Sequence, residues 1–102
     1  MKLAHTLTIS EVSPQGADAM QISFTGEDGQ RPELPFKPGQ YLTIAADLGG
    51  DDHWRSYSIT SAPANTNSIS VLIRRVVGGK VSNWICDNAK VGRSIRVLPP
   101  AG

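Results

Sequence analysis

Three short stretches carry the side chains suited to chemistry: RSYSIT at residues 55–60, FKPGQY at 36–41 and GGKVSNW at 78–84. Arg55 offers a planar fork of N–H donors that matches a phosphate or a carboxylate. In a strand of period two, Tyr57 shares its face and can present a flat ring to a planar ligand while its hydroxyl reaches polar atoms. Ser58 points to the opposite side by the same alternation, with its backbone N–H and C=O open to a ligand at a strand edge. Gly78 and Gly79 permit backbone geometries closed to other residues and bring the main chain close to a ligand. Ser82 falls where a helix would begin, and free N–H groups there stabilise an anion. Each piece also has a plain structural reading. Arg55 would pair with Asp51 or Asp52, Tyr57 would wall the core, and the glycines would turn the chain into a serine-capped helix. Together the three stretches suit a planar ring joined to a pyrophosphate.

The remaining reactive residues form no such set. Pro38-Gly39-Gln40-Tyr41 reads as a turn leading into a strand. Arg74 and Arg75 end a hydrophobic strand and point to opposite faces, with Arg74 sharing the parity of Leu72; such a basic pair protects a sheet edge. Trp84, Ile85 and Cys86 are helix packing. His5 and His53 have no carboxylate or thiolate arrangement of a metal site, and His53 beside Asp51 and Asp52 reads as loop chemistry. No serine–histidine–aspartate order is readable.

The elements that must position these residues are short. Leu3, Leu7, Ile9 and Val12 mark a first strand, and Met20, Ile22 and Phe24 alternate through a second, making a hairpin around Pro14-Gln15-Gly16. Residues 41–45 form a third strand ending at the glycine pair 49–50. Residues 54–61 form a fourth, followed by a loop over 62–67, and 69–77 form a fifth that closes at Gly78-Gly79. Between Ser82 and Ala89 the period changes, predicting a helix of about two turns capped by Ser82 or Asn83. Residues 94–98 form the last strand, and the closing Pro-Pro-Ala-Gly reads as a turn at a domain junction. The expected fold is all-β: a six-stranded antiparallel Greek-key barrel with one short helix between strands 5 and 6.

Composition narrows the function. The 102 residues make one domain, with Lys and Arg totalling 10 against 9 Asp and Glu, so no polybasic field points to nucleic acid. An oligonucleotide-binding barrel stacking bases on Tyr41, Trp54 and Tyr57 would need such a groove. The single cysteine excludes an internal disulfide and any multi-cysteine metal site in this chain, fits a reducing compartment, and leads us to expect a cytoplasmic protein. No apolar run approaches the roughly 20 residues of a membrane span, and the N-terminal alternation reads as a strand, not a signal peptide.

The order of these motifs resembles the flavin-binding barrel of the ferredoxin–NADP reductase family. Its arginine-x-tyrosine-serine motif matches Arg55, Tyr57 and Ser58; its proline-glycine-glutamine-tyrosine segment matches Pro38 to Tyr41. Its glycine-x-x-serine segment matches Gly79 and Ser82, and its closing proline-x-glycine matches Pro100 to Gly102. The wording is similar to reductase components of multicomponent oxygenases, especially the phenylacetyl-CoA type. The resemblance implies FAD as cofactor. Arg55 would bind its pyrophosphate, with Gly79, Lys80, Val81 and Ser82 as the cradle. Tyr57 and Ser58 would be the catalytic positions, Tyr57 against the isoalloxazine and Ser58 near N5. Ile73 and Arg74 would lie along the ribityl and adenosine side, partly through backbone.

The same resemblance implies partners: an NAD(P)H-binding domain and a ferredoxin or oxygenase component, neither of them present in residues 1–102, so that this chain alone would have negligible turnover. Rival readings are a small β-barrel interaction module with a lost flavin site, and a riboflavin synthase-like barrel. The intact arginine, tyrosine, serine and glycines argue against the first. The second would leave the anion site at Gly79–Ser82 without a use.

Overall fold

The computed structural model describes residues 4–30, 32, 34–61 and 68–102. Leu3 and the loop expected over residues 62–67 lie outside the described residues. The elements run β1 (His5–Pro14), β2 (Ala19–Gly26), β3 (Tyr41–Leu48), β4 (Asp51–Ser58), β5 (Ile69–Arg74), α1 (Lys80–Asn88) and β6 (Ser94–Ala101). All strand pairs are antiparallel, and the order across the sheet is β4-β3-β6-β1-β2-β5.

Burial explains which residues became strands. Leu7 and Ile9 of β1 face the core two residues apart, but the next inward residue, Val12, follows after three. A bulge between Ile9 and Glu11 supplies the extra residue and restores the register, with Val12 opposite Ile22. On β2 and β5 the inward rows Ile22, Phe24 and Ile69, Val71, Ile73 oppose one another and are buried. Ser23 and Ser70, also buried and paired in register, satisfy each other at 2.7 Å.

Strands β3 and β4 are longer than the sequence pattern suggests because Gly49 and Gly50 form a two-residue hairpin. Both glycines have positive φ, +69° and +93°, and Leu48 pairs with Asp51 across them, as a type I′ turn requires. Asp47 Oδ1 accepts the Gly50 N–H at 3.0 Å and fixes the corner. Strand β6 also runs on, through Pro99 and Pro100, to pair Ala101 with Tyr41. The expected terminal turn is therefore strand. A register shift between Thr43 and Tyr41 absorbs the two prolines, which cannot donate to a ladder.

The closed Greek-key barrel is overturned. The sheet is open, because among the described residues its end strands β4 and β5 share no ladder; just past β4, an isolated bridge between Ile59 and Val71 and the Thr60 N–H donating to the Ser70 carbonyl join the two edges. Helix α1 packs against β3, β4 and β5. The expected count of six strands and the helix between strands 5 and 6 hold. The core lies inside the curl of the sheet and includes Leu42, Ile44, Ala46 and Val97, with Val81, Ile85 and Cys86 of α1 completing it.

Candidate functional site

The β3–β4 register decides what the RSYSIT stretch faces. Leu42, Ile44 and Ala46, all buried, stand opposite Tyr57, Arg55 and His53, so these three share the inner face of the sheet. Because β4 is an end strand, that row opens to solvent instead of being sealed by a further strand. Ser56 and Ser58 take the outer face, where Ser56 Oγ meets Thr43 Oγ1 at 2.8 Å and Ser58 stands exposed opposite Tyr41.

Across the opening lies the start of α1. The chain leaves β5 and turns at Val76–Gly79, where the Gly79 N–H donates to the Val76 carbonyl at 2.8 Å. Gly78 supplies the positive φ (+76°) that the turn needs. Gly79 has an ordinary φ, but a Cβ there would sit 3.0 Å from the Val76 oxygen and 3.1 Å from its Cβ, so a side chain at this position would crowd Val76 and push the turn. Asn83 Nδ2 donates to the same Val76 oxygen at 3.0 Å, and Arg75 pairs with Asp87 at 2.7 Å. Both contacts bind the turn to the helix that follows it.

The helix begins two residues earlier than expected, and neither Ser82 nor Asn83 caps it. Gly79 is the N-cap, extended at φ −78° and ψ 98°, with no side-chain cap bond. Ser82 therefore sits in the first turn. The first intrahelical donor is the Asn83 N–H, to the Gly79 carbonyl. Among the described residues no acceptor takes the N–H groups of Lys80, Val81 and Ser82.

These two walls enclose a cleft of about 580 Å³, with His53, Arg55, Ser56 and Tyr57 on one side and Val76 and Gly78–Ser82 on the other. Among the described residues its charged lining is Arg55 and Lys80, with no carboxylate. The rival reading of Arg55 as a surface partner of Asp51 or Asp52 does not hold, for neither lies in ion-pair reach of it. Asp52 is held by Arg96, which lowers its carboxyl pKa below the ordinary range, and Arg55 makes one bond, to its neighbour's carbonyl on Trp54 at 2.8 Å. Among the described residues no carboxylate is in ion-pair reach of Arg55. The half-buried Tyr57 ring packs against the core, and its hydroxyl lies 3.1 Å from Ser82 Oγ. Burial pushes its phenol pKa up, partly offset by the bond to Ser82.

The cleft thus joins a guanidinium with no ion-pair partner and three N–H groups with no acceptor among the described residues, the latter at a positive helix end, to one aromatic wall. That is a site for an anion carried on a planar or apolar body. Residues 6–102 match the family described as the oxidoreductase FAD-binding domain. The chain belongs to that family. The 3-ketosteroid-9-alpha-monooxygenase ferredoxin reductase component of Rhodococcus rhodochrous is 40% identical over 98 residues, which cover 94% of this chain and 28% of that relative. The glycine betaine monooxygenase reductase subunit of Pseudomonas aeruginosa is 46% identical over 67 residues, 66% of this chain and 18% of the relative. The chain thus spans less than a third of the curated relatives it matches. Among solved structures, the flavohem-like FAD/NAD binding domain of nitric oxide dioxygenase from Vibrio cholerae superposes with a TM-score of 0.83 at 28% identity, covering 96% of this chain and 44% of that one. The resemblance to reductase components of oxygenases is thereby upheld.

The residues fit FAD's diphosphate and ring: the free donors and Arg55 for the one, Tyr57 for the other. Of the positions expected to bind it, Arg55, Tyr57, Gly79, Lys80, Val81 and Ser82 line a single cleft. Ile73 and Arg74 do not line it. The Ile73 side chain is wholly buried in the core, and Arg74 lies 3.8 Å from Asp18 on the exposed face. Ser58 is outside it by side chain, though β4 is a free edge whose alternate backbone groups lack a strand partner. His53, Ser56 and Val76 line the cleft without having been expected there. Parity was the available signal for His53, which continues the row of Arg55 and Tyr57.

Pro38-Gly39-Gln40-Tyr41 is a turn leading into a strand, as expected. Gln40 N–H donates to Lys37 O at 3.2 Å, with Pro38 and Gly39 (φ +85°) in the central positions of a type II turn. Gln40 then ties three segments together: its side-chain oxygen takes the Lys37 N–H, its amide reaches Gly102 O, and its carbonyl accepts from Ile59. The motif fixes the end of β4 and does not line the cleft.

Proposed function

We propose that this domain holds FAD as the electron-carrying module of an NAD(P)H-dependent reductase that supplies an iron–sulfur centre or an oxygenase component. The observation that carries the reading is the convergence on one cleft, with no carboxylate among its described lining, of Arg55, the N–H groups of Lys80–Ser82 that no described residue accepts, and the Tyr57 ring. Arg55 and the helix start would hold the diphosphate, and Tyr57 would hold the isoalloxazine. Ser58 would approach N5 from the strand edge. Ile73 and Arg74 would contribute to the adenosine side through backbone only, since their side chains are engaged elsewhere. Bound FAD takes a hydride and releases electrons singly, and the protein's part is to bind, orient and set the local charge. The relatives are named as reductase components of a 3-ketosteroid and a glycine betaine monooxygenase, which supports an oxygenase system as the destination. An NAD(P)H-binding domain as partner and a reducing cytoplasmic setting belong to the same proposal.

The test is the visible spectrum of the purified chain after addition of FAD and removal of excess by gel filtration. Retained bands shifted from those of free FAD are expected, with FAD held more tightly than riboflavin. A protein fraction without flavin at micromolar concentrations, or equal affinities for the two flavins, would overturn the assignment.

A further inference from the structure

One hydrogen bond joins the two walls of the cleft: Tyr57 on the edge strand and Ser82 in the first turn of the helix, 3.1 Å between hydroxyls and 25 residues apart in sequence. The Ser82 hydroxyl has no capping duty, because Gly79 is the N-cap and no side chain caps the helix. The anion donors at this helix start are backbone N–H groups, which any residue at these positions other than proline would supply. What the hydroxyl adds is its contact with the phenol. Tyr57 packs against the core and lines the cleft, and this bond ties its phenol to the helix wall opposite.

We propose that Ser82 is a positioning residue that sets the Tyr57 ring as the wall of the flavin site, over and above any contact of its own with phosphate. Each hydroxyl has one proton to give. In a cleft whose charged lining is Arg55 and Lys80, a bound anion draws the Ser82 proton, leaving Ser82 Oγ to accept from Tyr57. The same bond then makes the aromatic wall firmer when the anion is present. The inference rests on the flavin reading, and its test separates the two.

The experiment compares the binding of riboflavin and FAD by the wild type, Ser82→Ala, Ser82→Thr and Tyr57→Phe, by fluorescence titration. Riboflavin has no phosphate, so a Ser82 that served phosphate alone would leave its affinity untouched. Ser82→Ala is expected to weaken riboflavin by about threefold to tenfold, the worth of one neutral hydrogen bond, and to weaken FAD at least as much. It should also reduce the quenching of the bound flavin's emission by the stacked ring. Ser82→Thr should restore both. Tyr57→Phe keeps the ring and loses the bond, so it should reproduce the riboflavin loss and be non-additive with Ser82→Ala. Unchanged riboflavin affinity in Ser82→Ala, with or without a loss for FAD, overturns the inference. So does additivity of the two substitutions, read from the double variant measured beside both single ones after circular dichroism has shown each of them folded. Failure of the wild type to bind either flavin would instead overturn the flavin reading.

Discussion

Replacing Arg55 by alanine separates the two ends of the ligand. The guanidinium is exposed, makes one bond to the Trp54 carbonyl and has no ion-pair partner among the described residues. Its removal leaves no buried charge behind, so stability should change by less than about 0.5 kcal/mol. Toward FAD the loss is a charge-assisted hydrogen bond, worth roughly 1.5–3 kcal/mol, with the lower half of that range expected because the cleft is open to solvent and salt. A loss of about 1.5–2 kcal/mol is roughly a 10- to 30-fold weaker dissociation constant. Riboflavin, with no phosphate, should change by no more than about twofold, the tolerance set by the small stability effect. Arg55→Lys should recover part of the FAD affinity, since it keeps the charge and loses the planar fork. The assay is fluorescence titration of both flavins at low and high salt, after circular dichroism has shown each variant folded. FAD binding by the wild type should weaken with salt more steeply than binding by Arg55→Ala. Equal losses for both flavins in a folded Arg55→Ala would refute the placement of the diphosphate at this arginine.

Two further predictions concern the walls of the cleft. Gly79→Ala forces a Cβ against the Val76 oxygen and Cβ, at 3.0 and 3.1 Å, and Gly78→Ala places a side chain at φ +76° with nothing nearby to clash. Each should cost about 1 kcal/mol in urea denaturation, the first through crowding and the second through backbone strain, but only Gly79→Ala should also weaken FAD, since it displaces the turn that starts the helix. Burial raises the Tyr57 phenol pKa from an ordinary 10.0. The folded state therefore keeps its proton longer than the unfolded chain, and this contribution is complete below pH 10 and lost as pH rises through the folded value. Stability measured against pH should accordingly fall less steeply above pH 10 in Tyr57→Phe than in the wild type.

The alternation of Met20, Ile22 and Phe24 and the β-branched run from Ile69 were sufficient to find strands, because one face of each is buried and burial has a period of two. Their ends were less legible. Gly49-Gly50 stopped the third strand in the sequence reading, yet a two-residue turn lets both strands continue to its edge. Pro99 and Pro100 read as a terminal turn because proline breaks a ladder, and they are tolerated where β6 shifts register against β3. Closure was not readable at all. Whether β4 and β5 zip together depends on what stands beside them, and α1, packed against both, is assigned that place by no local pattern.

The site divides along the same line. Arg55 and Tyr57 could be put on one face from spacing alone, since alternation is a property of the strand itself. The glycine turn could be found because only glycine takes φ +76° freely, although the reason Gly79 is needed is a contact with Val76 that no periodicity announces. Ser82 shows where such reasoning stops. Serine before a helical period reads as a cap, because capping is the commonest local use of its hydroxyl. Here the backbone turn at Val76–Gly79 had already started the helix, and the hydroxyl was left to meet a phenol 25 residues away. A local rule assigns a polar side chain to the nearest unsatisfied backbone group. Only when the edge strand and the helix are set side by side does Tyr57 become the nearer partner, so a bond that joins two walls of a site is the kind of feature a chain conceals until it is folded.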